Sequence, residues 1–194
     1  MSGQVIAFVV VLCLMLITCS CFAKPYWRIG PKKEYHKLVS KFGNPSFLNP
    51  SPDGAAVWKR FRSECPFIRL MIIDENVPHD LPSKHCDYIY TTINYYIDPK
   101  KLMDVLAISD SIMYDKLKEE LTVRCHSLEV NMAILVLIDK VHKDIITQNQ
   151  MADGFTYKQY IKESKKNAVD NYRILQGIKE SYEMREVDYR RCQV

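Results

Sequence analysis

The side chains best suited to chemistry are cysteines and histidines in the middle of the chain, namely Cys65, His79, His85, Cys86, Cys125 and His126. Thiolates and imidazoles are ligands that zinc prefers, and zinc sites usually present them in spaced pairs such as C-x-x-C or H-x-x-x-H. This sequence has only the adjacent pairs His85-Cys86 and Cys125-His126, which cannot easily both face one ion. We therefore predict no metal site.

A cysteine nucleophile assisted by a histidine is the second chemistry that these residues allow, for instance Cys86 or Cys125 with His79. Neither cysteine lies in a local sequence typical of a cysteine enzyme. The carboxylates of the same stretch are those of Asp74, Glu75, Asp80 and Asp87. A solvated acidic loop is commoner than a paired acid and base, and the sequence has no glycine-rich phosphate motif. We expect no catalytic residue, no cofactor and no small-molecule substrate.

Disulfides are a third use for the cysteines, and the candidates are Cys65, Cys86, Cys125 and Cys192. In an oxidising compartment these four could form two disulfides, with the pairing left open. In a reducing compartment they would be buried thiols. The N-x-S sequences at Asn44 and Asn49 are both blocked by proline, so neither is a glycosylation acceptor. This favours a body that does not pass through a eukaryotic secretory route.

The N-terminal stretch determines on which side of a membrane these residues lie. Residues 5–23 carry no charge and nearly reach the ~20 residues that cross a hydrocarbon core. Cleavage as a signal peptide is supported by the small residues Cys21 and Ala23, but residues 1–4 lack a basic n-region. Lysines and arginines follow the stretch instead, which under the positive-inside bias keeps the body on the cytoplasmic side. We therefore favour a retained anchor over a cleaved leader.

The predicted anchor and its flank are defined by two sets of residues. The anchor set is Val5, Ile6, Phe8, Leu12, Leu14, Leu16, Ile17 and Phe22. The membrane-interface set, in a linker over residues 24–33, is Lys24, Tyr26, Trp27, Arg28, Lys32 and Lys33. Aromatic and basic side chains together are typical of a membrane interface. The expected localisation is a single-pass membrane protein with a lipid bilayer as one partner.

The body, residues 34–154, reads as an α+β domain. A helix is predicted over residues 34–42, and Gly30-Pro31 should end any helix before it. Strands are predicted over residues 55–61, 67–73 and 88–97, with a polar loop over residues 74–87. The third strand places Ile89, Thr91 and Ile93 on one face and an aromatic row including Tyr88 and Tyr90 on the other. We expect a small antiparallel sheet of about three strands.

The second half of the body is predicted to be helical. A helix should begin at Asp98-Pro99, and another should run from residues 109–111 to about residue 123. Ser127 can cap a third helix, whose residues 132–138 are apolar on all sides and should be the most buried. The small sheet should pack on these helices, behind the predicted N-terminal transmembrane helix.

The C-terminal region, residues 155–194, is predicted to be one long charged helix from residue 157 to about residue 191. Its apolar stripe is too narrow for a coiled coil on its own, so the helix must pack on its own body or on a neighbouring protein. For the outer half of this helix, we favour packing on a neighbouring protein. The predicted partner-binding residues are Ile161, Tyr172, Leu175, Tyr182 and Tyr189.

Composition narrows the class of partner. The net charge of +4 is modest, and the excess lies near the N-terminal flank and in the C-terminal helix. Dense lysine and arginine clusters with exposed aromatics, which a nucleic-acid-binding surface needs, are missing from the sequence. We expect no nucleic acid partner.

Several local sequences resemble one family. They are FGNP at residues 42–45, PDGAAVWK at residues 52–59, the strand over residues 86–98, the helix over residues 102–106 and RCH at residues 124–126. In layout the chain is similar to the membrane-anchored minor capsid proteins of large icosahedral DNA viruses of the chlorovirus type. The resemblance implies a virion structural protein that joins an internal membrane to the capsid shell and contacts other capsid or membrane-associated proteins. It implies no catalytic residue.

Two hypotheses of different class follow. The first is a non-enzymatic, membrane-anchored minor capsid protein on the inner surface of a viral shell. The alternative is a secreted or lumenal disulfide-bonded domain, a binding module or hydrolase, with a cleaved signal peptide. They differ in whether residues 5–23 are retained and whether the four body cysteines are oxidised.

Overall fold

The computed structural model describes residues 29–50, 54–59, 65–79, 85–151 and 154–191. The helices are α1 Ile29–Phe42, α2 Leu102–Leu106, α3 Leu128–His142, α4 Gln148–Met151, α5 Gly154–Lys166 and α6 Ala168–Arg191. The strands are β1 Phe47–Leu48, β2 Ala56–Lys59, β3 Ile68–His79, β4 His85–Asn94, β5 Ile112–Asp115 and β6 Glu120–Cys125.

The strands form one antiparallel sheet in the order β1-β2-β3-β4-β6-β5. The class is therefore α+β, but the prediction of about three strands is wrong because the sheet has six. Two of the additional strands, β5 and β6, occupy the stretch predicted as a helix through residue 123. The predicted loop over residues 74–87 is also largely strand, since β3 and β4 continue into it and pair His79 with His85.

Helix α1 begins earlier than predicted. Gly30 and Pro31, which were predicted to lie before the helix, are its second and third residues. Proline is tolerated there because the first backbone N–H groups of a helix have no partner within the helix. The helix stops at Phe42, and Gly43 follows with a φ of 76°, a left-handed conformation that glycine adopts without strain.

Helix α3 is the centre of the core. Ser127 caps it by accepting a hydrogen bond from the Val130 N–H, as predicted. Its residues 130–139 are all buried, which confirms that this is the most enclosed helix among the described residues. The sheet covers one side of α3, while α2, α5 and α6 contact it from elsewhere. Asn131 fixes its position by donating to the Ile89 carbonyl at 3.0 Å and to Thr91 Oγ1 at 2.9 Å.

The predicted C-terminal helix is two helices, α5 and α6, separated at Asn167. Ser164 and Asn171 bridge the break, since Ser164 Oγ donates to Asn171 Oδ1 at 3.0 Å and Asn171 Nδ2 donates to the Ser164 carbonyl at 2.9 Å. Ser164 and Asn171 are therefore buried against each other. They join α5 to α6 and are not facing solvent.

The predicted partner-binding residues have different surroundings. Leu175 is 0% exposed and packs in the core, so its assignment to a partner is wrong because the chain's own body covers it. Ile161 and Tyr172 are partly buried against the same core. The rings of Tyr172 and Phe67 pack in a T-shaped arrangement with their centroids 5.2 Å apart. Tyr182 is also partly buried, and the Tyr189 side chain lies outside the described residues.

The expected single-pass membrane localisation is contradicted. In the described ranges, no helix is both long and apolar enough to cross a bilayer. Helix α3 is apolar but has 15 residues, fewer than the ~20 needed, and α6 has 24 residues but carries many charges. Of the predicted interface set, Lys32 and Lys33 are exposed on α1.

The remaining anchor and interface residues lie outside the described residues. They are Val5, Ile6, Phe8, Leu12, Leu14, Leu16, Ile17, Phe22, Lys24, Tyr26, Trp27 and Arg28.

Replacing Leu175 with alanine tests whether α6 belongs to the core. Because the side chain is fully buried, the free energy of unfolding should fall by about 2–4 kcal/mol in urea denaturation. Val169→Ala on the same helix is the control, since Val169 is 83% exposed and should change stability little. Equal effects of the two substitutions would contradict the docking of α6 described here.

Candidate functional site

The cysteines and histidines singled out by sequence lie at different places. Cys65 precedes β3, His79 and His85 lie opposite each other at the ends of β3 and β4, and Cys125 ends β6. Within the described ranges, no group of three or more histidine, cysteine, aspartate or glutamate residues could hold a metal ion. Cys65 is buried, Cys86 and Cys125 are free thiols, and Cys192 lies outside the described residues.

Cys125 is a buried thiol with polar neighbours. Its Sγ lies 3.3 Å from His126 Nδ1, and the fully buried Asp87 is close by. Asp87 Oδ2 accepts from Ser111 Oγ at 3.2 Å and lies 3.6 Å from Arg124 Nε. Burial, followed by the negative charge of Asp87, raises the pKa of Cys125 to about 12. A thiol held in this way is a poor nucleophile at neutral pH because the thiolate is the reactive form.

Alkylation with iodoacetamide at about pH 8 should measure this difference between thiols. Native Cys125 should react at least about a hundredfold more slowly than the partly exposed Cys86, since its thiolate is scarce and its sulfur is buried. Peptide mass spectrometry gives both rates in one sample, and unfolding in urea should make them similar. Fast labelling of Cys125 in the native protein would instead indicate an activated cysteine.

A second polar cluster joins β4 to the C-terminal end of α3. Tyr95 Oη donates to Asp139 Oδ1 at 3.1 Å and lies 2.9 Å from His142 Nδ1. The Asp98 backbone N–H donates to His142 Nε2 at 3.0 Å. Because Nε2 is an acceptor and the tyrosine proton goes to Asp139, Nδ1 must carry the proton and donate it to Tyr95. The imidazole is therefore neutral, and both of its nitrogens are used.

The negative charge of Asp139 in this cluster is balanced by a lysine. Lys143 Nζ binds Asp139 Oδ2 at 2.9 Å. Burial is the main cause that lowers the pKa of His142, and burial with the neighbouring Asp139 raises the pKa of Tyr95 far above its usual range. A shallow cavity of about 160 Å³ lies beside these groups, but neither Tyr95 nor His142 is set to exchange a proton there near neutral pH. The cluster stabilises the packing of the end of β4 against α3.

Stability should depend on pH through His142. The folded protein lowers the pKa of His142 below its unfolded value of about 6.5, so the network stabilises the fold fully above that pH. As pH falls through 6.5 towards the lower folded pKa, the unfolded state takes up the proton first and the free energy of unfolding decreases. Urea denaturation between about pH 7.5 and 5 should show this loss, and His142→Gln should reduce it.

His36→Gln is the matched control, because His36 is exposed on α1. His142→Gln should change the pH dependence of unfolding more than His36→Gln does. If His142→Gln and His36→Gln gave the same profile as the natural chain, the neutral network around Tyr95 would be contradicted.

Among the described residues, the other face of the sheet has no helical cover. Residues on the covered face, such as Met71, Thr91 and Val123, are 0% exposed. The opposite side chains form rows across the strands. One row is Phe47, Val57, Ile72, Tyr90 and Arg124, and the next is Lys59, Leu70, Thr92, Thr122 and Met113. We call these two rows the open face.

The open face has an apolar centre and a charged border. Thr92 is buried among its neighbours, Ile72, Leu70 and Tyr90 are partly exposed, and the outer members Phe47 and Met113 are 58% and 40% exposed. Arg69 lies along one end, where it binds Glu120 at 3.0 Å. An apolar centre with a polar rim is the usual anatomy of a protein–protein interface.

Sequence reasoning found part of this surface. The aromatic row of β4 was expected, but the contributions of β1, β5 and the outer side of β3 were not. Leu70, Met71, Ile72 and Ile73 are apolar at consecutive positions, so alternation could not show which side the helices cover. The alternation of Leu121, Val123 and Cys125 was the available signal for β6.

The chain was also compared with known proteins. It matches no family model, no curated protein and no solved structure. The open face and the two polar clusters are therefore the features that bear on its function.

Proposed function

We propose that this chain is a non-enzymatic structural protein that binds other proteins through the open face of its sheet. The observation that carries the proposal is the pair of side-chain rows with an apolar centre on a face that no described helix covers. A sheet normally buries an apolar face against another layer. A protein partner would supply that layer.

The polar clusters support a non-enzymatic role. The thiol of Cys125 is held protonated beside Asp87, and the Tyr95, Asp139 and His142 side chains bind one another. These groups stabilise the fold, and each hydrogen bond among them would have to break before it could serve a substrate. The alternative of a disulfide-bonded secreted domain would need Cys86 and Cys125 oxidised, and both are free thiols.

The setting that we propose is a viral shell, as the resemblance to minor capsid proteins implies. The chain would then be a small structural component placed between larger shell proteins. Binding through one small sheet face suits a component that occupies many equivalent positions, because each contact is weak but repeated.

A photo-crosslinking residue at Met113 tests the proposal in the chain's native cells. On irradiation, a benzoyl-phenylalanine at this exposed position should form adducts with a defined set of protein neighbours. The matched control places the same residue at Val169, which is more exposed but lies on the helical side. Mass spectrometry identifies the adducts. Adducts from position 169 with none from position 113 would show that partners bind the helices instead.

A further inference from the structure

We infer that the open face binds a second copy of this chain, face to face, about a two-fold axis parallel to the strands. This inference rests on the proposed function, because it identifies one partner of the same surface. A two-fold contact requires a surface that is complementary to itself. The order of residues across the sheet meets that requirement.

The apolar centre is the first part of the match. An axis between β3 and β4, the two central strands, exchanges β3 with β4 and β2 with β6. Ile72 on β3 and Tyr90 on β4 are cross-strand partners in the same row. The rotation therefore places Ile72 of one copy against Tyr90 of the other, and the reverse. Leu70 and Thr92 are exchanged in the same way in the next row. Sheets packed with nearly aligned strands interdigitate their side chains like this.

The charges are the second part of the match. Lys59 is exposed on β2, and Glu120 lies on β6, one row towards the same end of the sheet. Exchange of β2 with β6 brings each Lys59 over Glu120 of the second copy, giving two equivalent opposite-charge contacts. Arg124, which lies over the Tyr90 ring at 5.9 Å, is brought towards Val57 and Phe47 of the second copy. Arginine against an aromatic ring is a favourable contact.

The size of the face sets the strength of the contact. Five strand spacings of about 4.8 Å and about six residues along the strands give a face of roughly 24 by 20 Å. This corresponds to about 500 Å² on each copy, below the ~800 Å² of a standard stable interface. We therefore expect a reversible dimer with a dissociation constant on the order of tens of micromolar.

Charge exchange tests the arrangement directly. Lys59→Glu would place two like-charged pairs in the dimer, and so would Glu120→Lys. Each variant of the full chain should dimerise roughly tenfold more weakly than the natural chain. An equal mixture of the two variants restores both opposite-charge contacts in the mixed dimer, so its affinity should return to within about threefold of the natural value. Sedimentation velocity over a concentration series measures all four samples.

The mixture also controls for folding. Glu120→Lys removes the ion pair with Arg69, and a variant weakened only by that loss would not recover on mixing with Lys59→Glu. A natural chain that stays monomeric well above the expected dissociation constant would overturn the inference, as would a dimer that the two variants leave unchanged. Adducts of position 113 with a different protein would in that case still support the proposed function, so the two proposals can fail separately.

Discussion

The enclosure of helix α3 is the constraint on which the rest of the structure depends. A helix that is apolar on every side must be covered on every side, because each exposed leucine or isoleucine would forgo about 1.5–3 kcal/mol of burial. The sheet supplies one cover, and α5 and α6 supply another. Asn131 is the only described polar side chain within residues 130–138 of this helix, and its hydrogen bonds to β4 set the helix against the sheet in one orientation. The Glu34 carboxylate accepts the Leu128 N–H and so satisfies part of the buried start of the helix.

The same enclosure explains why the potentially reactive side chains are not available to bind a substrate. Cys125 and Asp87 lie where β6 turns into α3, and Tyr95, Asp139 and His142 lie where α3 ends against β4. Buried polar groups must be hydrogen-bonded, and here they bind each other. Among the described residues, helices cover the α3 side of the sheet. The proposed function therefore lies on the open face and not in a pocket.

Sequence patterns predicted the helices and strands that are determined by neighbouring residues in the chain. They missed the helices and strands that are determined by tertiary contacts. The Ser127 cap and the apolar run after it predicted α3, and the alternation of residues 88–97 predicted β4. The hairpin of β5 and β6 was missed because its turn has no glycine. Glu119 adopts the left-handed conformation there, with φ of 50°, and Ile112, Leu117 and Leu121 imitate a helical spacing. Leu117 is in fact 97% exposed in the turn. The break at Asn167 is bridged by the Ser164 and Asn171 pair, which the apolar stripe of the C-terminal region does not reveal.

The ends of the sheet have a further consequence for aggregation. Strand β1 has two residues and β5 has four, so the longest strands are in the interior of the sheet. Edge strands are the usual template for uncontrolled addition of foreign strands, and short edges offer few free backbone groups for it. Growth by strand addition is thus limited on both sides. Short edges on both sides therefore disfavour fibre formation by the folded chain.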